Sequence, residues 1–181
     1  MAQTTASISS SRPLNKPMNQ PKPRKEAEAM MNDEFISIKT CSGYFNFLAD
    51  PEVPEHLLVP DASEEEIGRA LLDALSRSRI LIPKENRDFF SFERAGVRYE
   101  EWVKKIMARY GYKTRRAMFE NMKNCWTHSQ DDKITLKPTN HVKLEAWEGK
   151  SKDKVADVAI PVTSSAFEVG KALKEAFNRC G

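Results

Sequence analysis

The stretch LVPDASEEEIGRALLDALSRS, residues 58–78, returns near the other end of the chain as AIPVTSSAFEVGKALKEAFNRC, residues 159–180. With Gly68 set on Gly170, Ser63 falls on Ser165, Glu66 on Glu168, Ile67 on Val169, Ala70 on Ala172, Leu71 on Leu173 and Ala74 on Ala176. Each copy predicts one capped amphipathic helix. A serine followed three residues later by glutamate is a capping box, which satisfies two orphan backbone donors. Ile67, Ala70, Leu71, Ala74 and Leu75 recur at helical spacing, as do Val169, Ala172, Leu173, Ala176 and Phe177, so each helix has one apolar face. Glycine inside a helix costs about 1 kcal/mol relative to alanine. Its appearance in both copies predicts close packing of each helix on another backbone.

Outward from the helices, strands are expected. Phe35-Ile36-Ser37-Ile38-Lys39 resembles Lys133-Ile134-Thr135-Leu136-Lys137, and Tyr44, Phe45, Phe47 and Leu48 make a short aromatic strand in the first copy. In the second, Val142, Leu144 and Ala146 alternate with polar neighbours, residues 149–154 form a turn, and residues 155–160 return as a strand. The fold class is α+β: a single domain, residues 33–181, with two strand–strand–helix repeats around a shared sheet and a helical insert between them. In the insert, Tyr99, Trp102, Val103, Ile106, Met107 and Tyr110 mark a helix stopped by Gly111. Thr114 caps another, expected to turn Ala117, Met118, Met122 and Cys125 inward. Ile80-Leu81-Ile82 and Phe89-Phe90-Ser91-Phe92 are candidates for one or two added strands. Residues 1–32, rich in Ser, Thr, Pro, Gln and Lys, read as a disordered tail without the apolar run of a secretory signal.

The chain has 181 residues and a net charge of +3. Residues 33–83 hold ten acidic against four basic side chains, and residues 84–126 eleven basic against six acidic. Such polarisation suits a protein partner at least as well as nucleic acid. Three cysteines without metal-like spacing point to a reducing compartment, and no run is long and apolar enough to span a bilayer. The protein is therefore expected in the cytoplasm, with no membrane partner.

No catalytic constellation emerges. Cys125 and His128 stand three apart without a second ligand pair, so neither a metal nor another cofactor is expected. The glycines are too scattered for a phosphate cradle, and Glu64-Glu65-Glu66 complements a helix dipole. One segment breaks a local rule: Lys113, Arg115 and Arg116 gather positive charge at a helix start, beside Tyr110 and Tyr112. Tyrosine and arginine are enriched at interface hot spots.

The order FISI…GYF, VPDASEEEIGRALLDALSRSR, YGYKTRRAMFENMKNC, ITLKPTNHVKLEAWEG and IPVTSSAFEVGKAL resembles the immunity proteins of bacterial contact-dependent growth inhibition (CDI) systems, across about residues 35–180. The resemblance implies a non-enzymatic cytosolic protein that binds and shuts off the toxin domain of a cognate CDI effector, commonly a nuclease. An acidic surface can occupy a groove built for phosphates. The toxin-binding candidates are therefore Asp50, Glu52, Glu55, Asp61, Glu64 and Glu65, the first three on a proline-stiffened loop, together with Tyr112, Lys113, Arg115 and Arg116. The alternative is a nucleic-acid-binding module using Lys104, Lys105, Arg109, Lys113, Arg115 and Arg116; under the first reading no nucleic-acid partner is expected.

Overall fold

The computed structural model describes residues 22–149 and 156–181. In chain order the elements are β1 (Lys25–Met31), β2 (Ile36–Gly43), β3 (Phe47–Ala49), β4 (His56–Leu58), α1 (Glu64–Ser76), α2 (Phe92–Tyr110), α3 (Arg115–Phe119), β5 (Lys123–Gln130), β6 (Lys133–Lys143), β7 (Ala146–Gly149), β8 (Val158–Pro161) and α4 (Ala166–Asn178). The eight strands form one antiparallel sheet in the order β3-β2-β1-β5-β6-β7. β4 lies beside β3 along the outer edge of β2, and β8 beside β7 along the outer edge of β6. At the centre β1 meets β5, with Glu28 opposite Trp126.

Both long repeats are helices with the expected capping boxes: Ser63 and Ser165 accept from the backbone of Glu66 and Glu168, whose carboxylates bond back. α1 and α4 cover one face of the sheet. Their Ile67, Leu71, Val169, Leu173 and Phe177 pack on Ala27, Ala29, Ile36, Ile38, Ile134 and Leu136. Burying each large side chain contributes roughly 1.5–3 kcal/mol. The two glycines lie where the helices touch. A Cβ on Gly68 would stand 1.7 Å from the carbonyl oxygen of Ala166, and one on Gly170 would stand 1.8 Å from that of Glu64. The expected neighbouring backbone is thus the other helix. On the opposite face, Val103 and Ile106 of α2 with Met118 and Phe119 of α3 cover only the end of the sheet that carries Met30, Phe35 and Met122.

Several expectations are corrected. Residues 25–31, assigned to a disordered tail, form the central strand β1, so the folded unit begins before residue 33; residues 1–21 lie outside the described residues. Glutamate and alanine masked the period-two pattern. Ala27 and Ala29 are small because α1 lies close above them. Each half contributes four strands rather than two: the expected aromatic strand is found as β3, with Tyr44 and Phe45 in the bend before it, whereas the three-residue β4 is too short to announce itself. The second insert helix ends at Phe119, and Cys125 belongs to β5. Ala117 is exposed. Residues 80–92 add no strand: Ile80 makes a single bridge to Gly43, and Phe92 opens α2 fully in solvent. Val142 and Ala146 do not share a strand, because β6 turns into β7 at Leu144-Glu145. The expected turn at 149–154 falls largely outside the described residues; the returning strand is observed as β8.

Substituting alanine for Gly68 or Gly170 should destabilise the fold by roughly 1–3 kcal/mol through overpacking. Gly96 in α2 has nothing within 4 Å of an added Cβ, so Gly96→Ala should stabilise by about 1 kcal/mol. Urea unfolding of the three variants reads both signs; equal effects would contradict the helix–helix contact.

Candidate functional site

Because side chains alternate along a strand, the residues between those facing α1 and α4 form the floor of the other face. In register across β2, β1, β5 and β6 this floor reads Lys39, Glu28, Trp126 and Lys137. α2 and the loop after β3 wall one side and β7 another, leaving a cleft of about 780 Å³. All three tryptophans of the chain line it: Trp102 from α2, Trp126 from β5 and Trp147 from β7.

Two of these rings are fixed by hydrogen bonds. Trp102 Nε1 donates to Glu55 Oε1 at 2.7 Å, and Trp147 Nε1 donates to the Met122 carbonyl at 3.0 Å while stacking on His141. The Trp126 side is open, with the residue 40% exposed. Glu55 also accepts from Ser37 Oγ at 2.7 Å and Lys105 Nζ at 3.3 Å. The Lys39 ammonium sits 3.2 Å from the centroid of the Trp102 ring. Burial lowers its pKa, against the pull of the nearby Glu28 and Glu55 carboxylates. Asn124 Nδ2 donates to Glu28 Oε1 at 2.9 Å, while Asn124 Oδ1 is buried without a partner. At the rim, Glu145 accepts from Tyr99 Oη at 2.8 Å and from Arg115 Nη1, and Arg115 also reaches Glu100. Burial, then Glu145, pushes the Tyr99 hydroxyl pKa up. Aromatic faces, an ammonium and carboxylates around one opening are groups that hold a partner's side chains.

The residues nominated from sequence scatter. Asp50, expected on an exposed loop, has a side chain with no solvent exposure; it accepts two bonds from Arg79 at 2.8 Å and one from Ser42 Oγ at 2.6 Å. Glu52 pairs with the same arginine from the solvent side. Glu55 is the one nominated acid whose bonds reach the cleft's Trp102 and Lys105, and its side chain is 8% exposed. Asp61 is exposed. Glu64 bonds Lys174 and Glu65 pairs with Arg69, both on the α1–α4 side of the sheet. Tyr112 Oη accepts from Asn32, Lys113 and Arg116 are exposed, and Arg115 is held at the cleft rim. The charge at the start of α3 is thus partly answered by Glu100 and Glu145. Cys125 lies in the helix-side core, where burial raises its thiol pKa, and His128 lies on the opposite face. Among the described residues no group of three His, Cys, Asp or Glu is placed to hold a metal ion, and no helix is long and apolar enough to cross a membrane.

The cleft itself was missed. Its signal in the sequence is three tryptophans on three amphipathic segments, a residue type enriched in interface hot spots. Only the fold brings them together.

A layered α+β scaffold that presents a charged, tryptophan-lined cleft defines a binding module. The chain belongs to the CDI immunity proteins: the family described as "CdiI: CDI immunity protein" matches residues 25–180. It is 40% identical over 166 residues to the immunity protein CdiI-YPIII of Yersinia pseudotuberculosis serotype O:3, covering 85% of this chain and 94% of that protein. The structure of a CdiA-CT/CdiI toxin and immunity complex from Yersinia pseudotuberculosis superposes with a TM-score of 0.82 at 40% identity, covering 88% of this chain and 99% of that one. A protein of unknown function from Neisseria meningitidis matches with a TM-score of 0.82 at 36% identity, covering 92% and 100%.

Asp50 generates a stability prediction. Burial raises its pKa, but the Arg79 and Ser42 bonds outweigh burial and hold it below its ordinary value of 3.8. A carboxylate with a depressed folded pKa contributes stability that is present above the ordinary value and lost as pH falls through the folded value. Asp50→Asn should therefore destabilise the fold by about 2–3 kcal/mol at neutral pH. In urea titrations the gap to wild type should narrow as pH falls below 3.8.

Proposed function

We propose that this chain is the immunity member of a CDI pair, neutralising its cognate toxin domain in the cytoplasm by binding it non-covalently at the tryptophan-lined cleft. Support for neutralisation comes from 40% identity along nearly the whole length of an immunity protein, together with the fold match to a toxin–immunity complex. Support for the cleft is the convergence of Trp102, Trp126 and Trp147 on one opening with a rigid floor. Large aromatic anchors in a central pocket carry most of the energy of protein interfaces.

On this reading the protein is a plug and not an enzyme, and the toxin is a nuclease. The acidic excess of residues 33–83 would speed the approach to a phosphate-binding surface. Of the nominated residues, Glu55 and Arg115 serve by bracing Trp102 and the cleft rim. Glu52, Asp61, Lys113 and Arg116 remain candidates for peripheral contact. The reading also takes the two halves as copies of one unit, because Gly68 on Ala166 and Gly170 on Glu64 are equivalent contacts under the sequence alignment. The nucleic-acid alternative is disfavoured by the pairing of Lys105 with Glu55 and of Arg115 with Glu100 and Glu145.

Cells expressing the cognate toxin domain should survive when this chain is co-expressed. Trp126→Ala should weaken binding of that domain by at least about thirtyfold. Glu65→Lys, on the other side of the sheet, should leave binding unchanged. Continued killing would refute neutralisation, and unchanged affinity of Trp126→Ala would refute the cleft.

A further inference from the structure

Among the described residues, Lys39 is the cation of the cleft lining that has no ion pair. Its ammonium rests on Trp102, yet among the described residues no carboxylate oxygen lies within ion-pairing distance and no acceptor bonds it. The other cations around the opening are engaged: Lys105 with Glu55, Arg115 with Glu145 and Glu100, Arg79 with Asp50 and Glu52, and Arg98 with the Phe89 carbonyl; Lys137, at the end of the floor's row, lies beyond the cleft lining. The two nearest acids are themselves committed. Glu55 already accepts from Ser37, Trp102 and Lys105, and Glu28, although in register with Lys39 on the neighbouring strand, accepts from Asn124. The indole that holds the ammonium is itself pinned by Glu55, so the cation is fixed in place rather than swinging on a free stem.

Lys39 is already half-buried, and a partner seated over this floor removes the solvent contact it retains. An ammonium left unpaired in a dry interface is strongly unfavourable, so the partner must bring an acceptor. A carboxylate supplies the acceptor and the opposite charge together. We propose that Lys39 is a specificity-determining residue of the cleft and that it receives an aspartate or glutamate side chain of the cognate toxin domain. The inference rests on the cleft being the toxin-docking surface. Toxin domains that lack an acid at that position leave the ammonium buried and unpaired, which discriminates against them.

The test measures affinity of the full chain for the purified cognate toxin domain, with Lys39→Met, Lys39→Arg and Trp126→Ala beside wild type. Each surface aspartate and glutamate of the toxin is also changed to its amide. Lys39→Met should weaken binding about thirtyfold, with Lys39→Arg recovering part of the loss. One toxin amide substitution should cost a similar factor, and the two changes combined should cost no more than either alone. Lys39→Gln replaces the methionine variant if the latter melts early. Wild-type affinity of Lys39→Met, or losses that add with every toxin substitution, would overturn the inference; the latter is the result expected if backbone carbonyls or Glu28 meet the ammonium instead. If Trp126→Ala weakens binding while Lys39→Met does not, the cleft reading stands and this inference fails. If neither weakens binding, the cleft reading has failed.

Discussion

The contact on which the rest depends is the approach of α1 and α4 at Gly68 and Gly170, where each helix backbone fills the space a side chain would take on the other. Two helices this close form one thin layer. It fits over Ala27 and Ala29 of β1 and over Cys125 of β5, the two strands that meet at the centre of the sheet. The helices thereby clamp the junction between the two halves of the chain. The cost of two helical glycines, about 1 kcal/mol each, is small against the burial of Ile67, Leu71, Val169, Leu173 and Phe177 in the same layer.

A consequence appears on the other side of the sheet. The strands that carry Ala27, Ala29 and Cys125 inward carry Glu28 and Trp126 outward. The floor of the cleft is therefore the back of the best-packed part of the protein. Its walls are braced in turn, through Glu55 bonded to Trp102 and Glu145 bonded to Tyr99 and Arg115. A floor that does not move on binding loses little conformational entropy, so more of the contact energy is retained as affinity. Solvent-exposed ion pairs such as Arg69 with Glu65 contribute at most about 1 kcal/mol and leave this face unaffected.

Much of the fold was legible in the sequence, and the site largely was not. The two capping boxes, the Gly111 stop and the Thr114 cap are local signals, and each is found where its chemistry demands. The glycines announced a close backbone but not whose. β1 was illegible because the residues it buries under the helices, Ala27 and Ala29, are alanines, chosen for clearance and not for hydrophobicity. The Leu144-Glu145 turn carries no glycine, proline or asparagine to mark it. Asp50 was read as a loop acid because burial by Arg79, 29 residues later, is a tertiary fact. The same holds for the tryptophans, which come from a helix and two strands far apart in the chain. Charge can be counted from a sequence, but which charges are already spent on internal partners cannot.

The central claim is that the toxin is held where the three tryptophans converge. It is tested most directly by labelling this protein with 5-fluorotryptophan and titrating it with the unlabelled cognate toxin domain. Each of Trp102, Trp126 and Trp147 then reports by its own fluorine resonance. The account predicts that all three resonances move on complex formation, with Trp126 moving furthest because its side of the cleft is open. A complex that forms, by an independent affinity measurement, while all three resonances stay in place would contradict it.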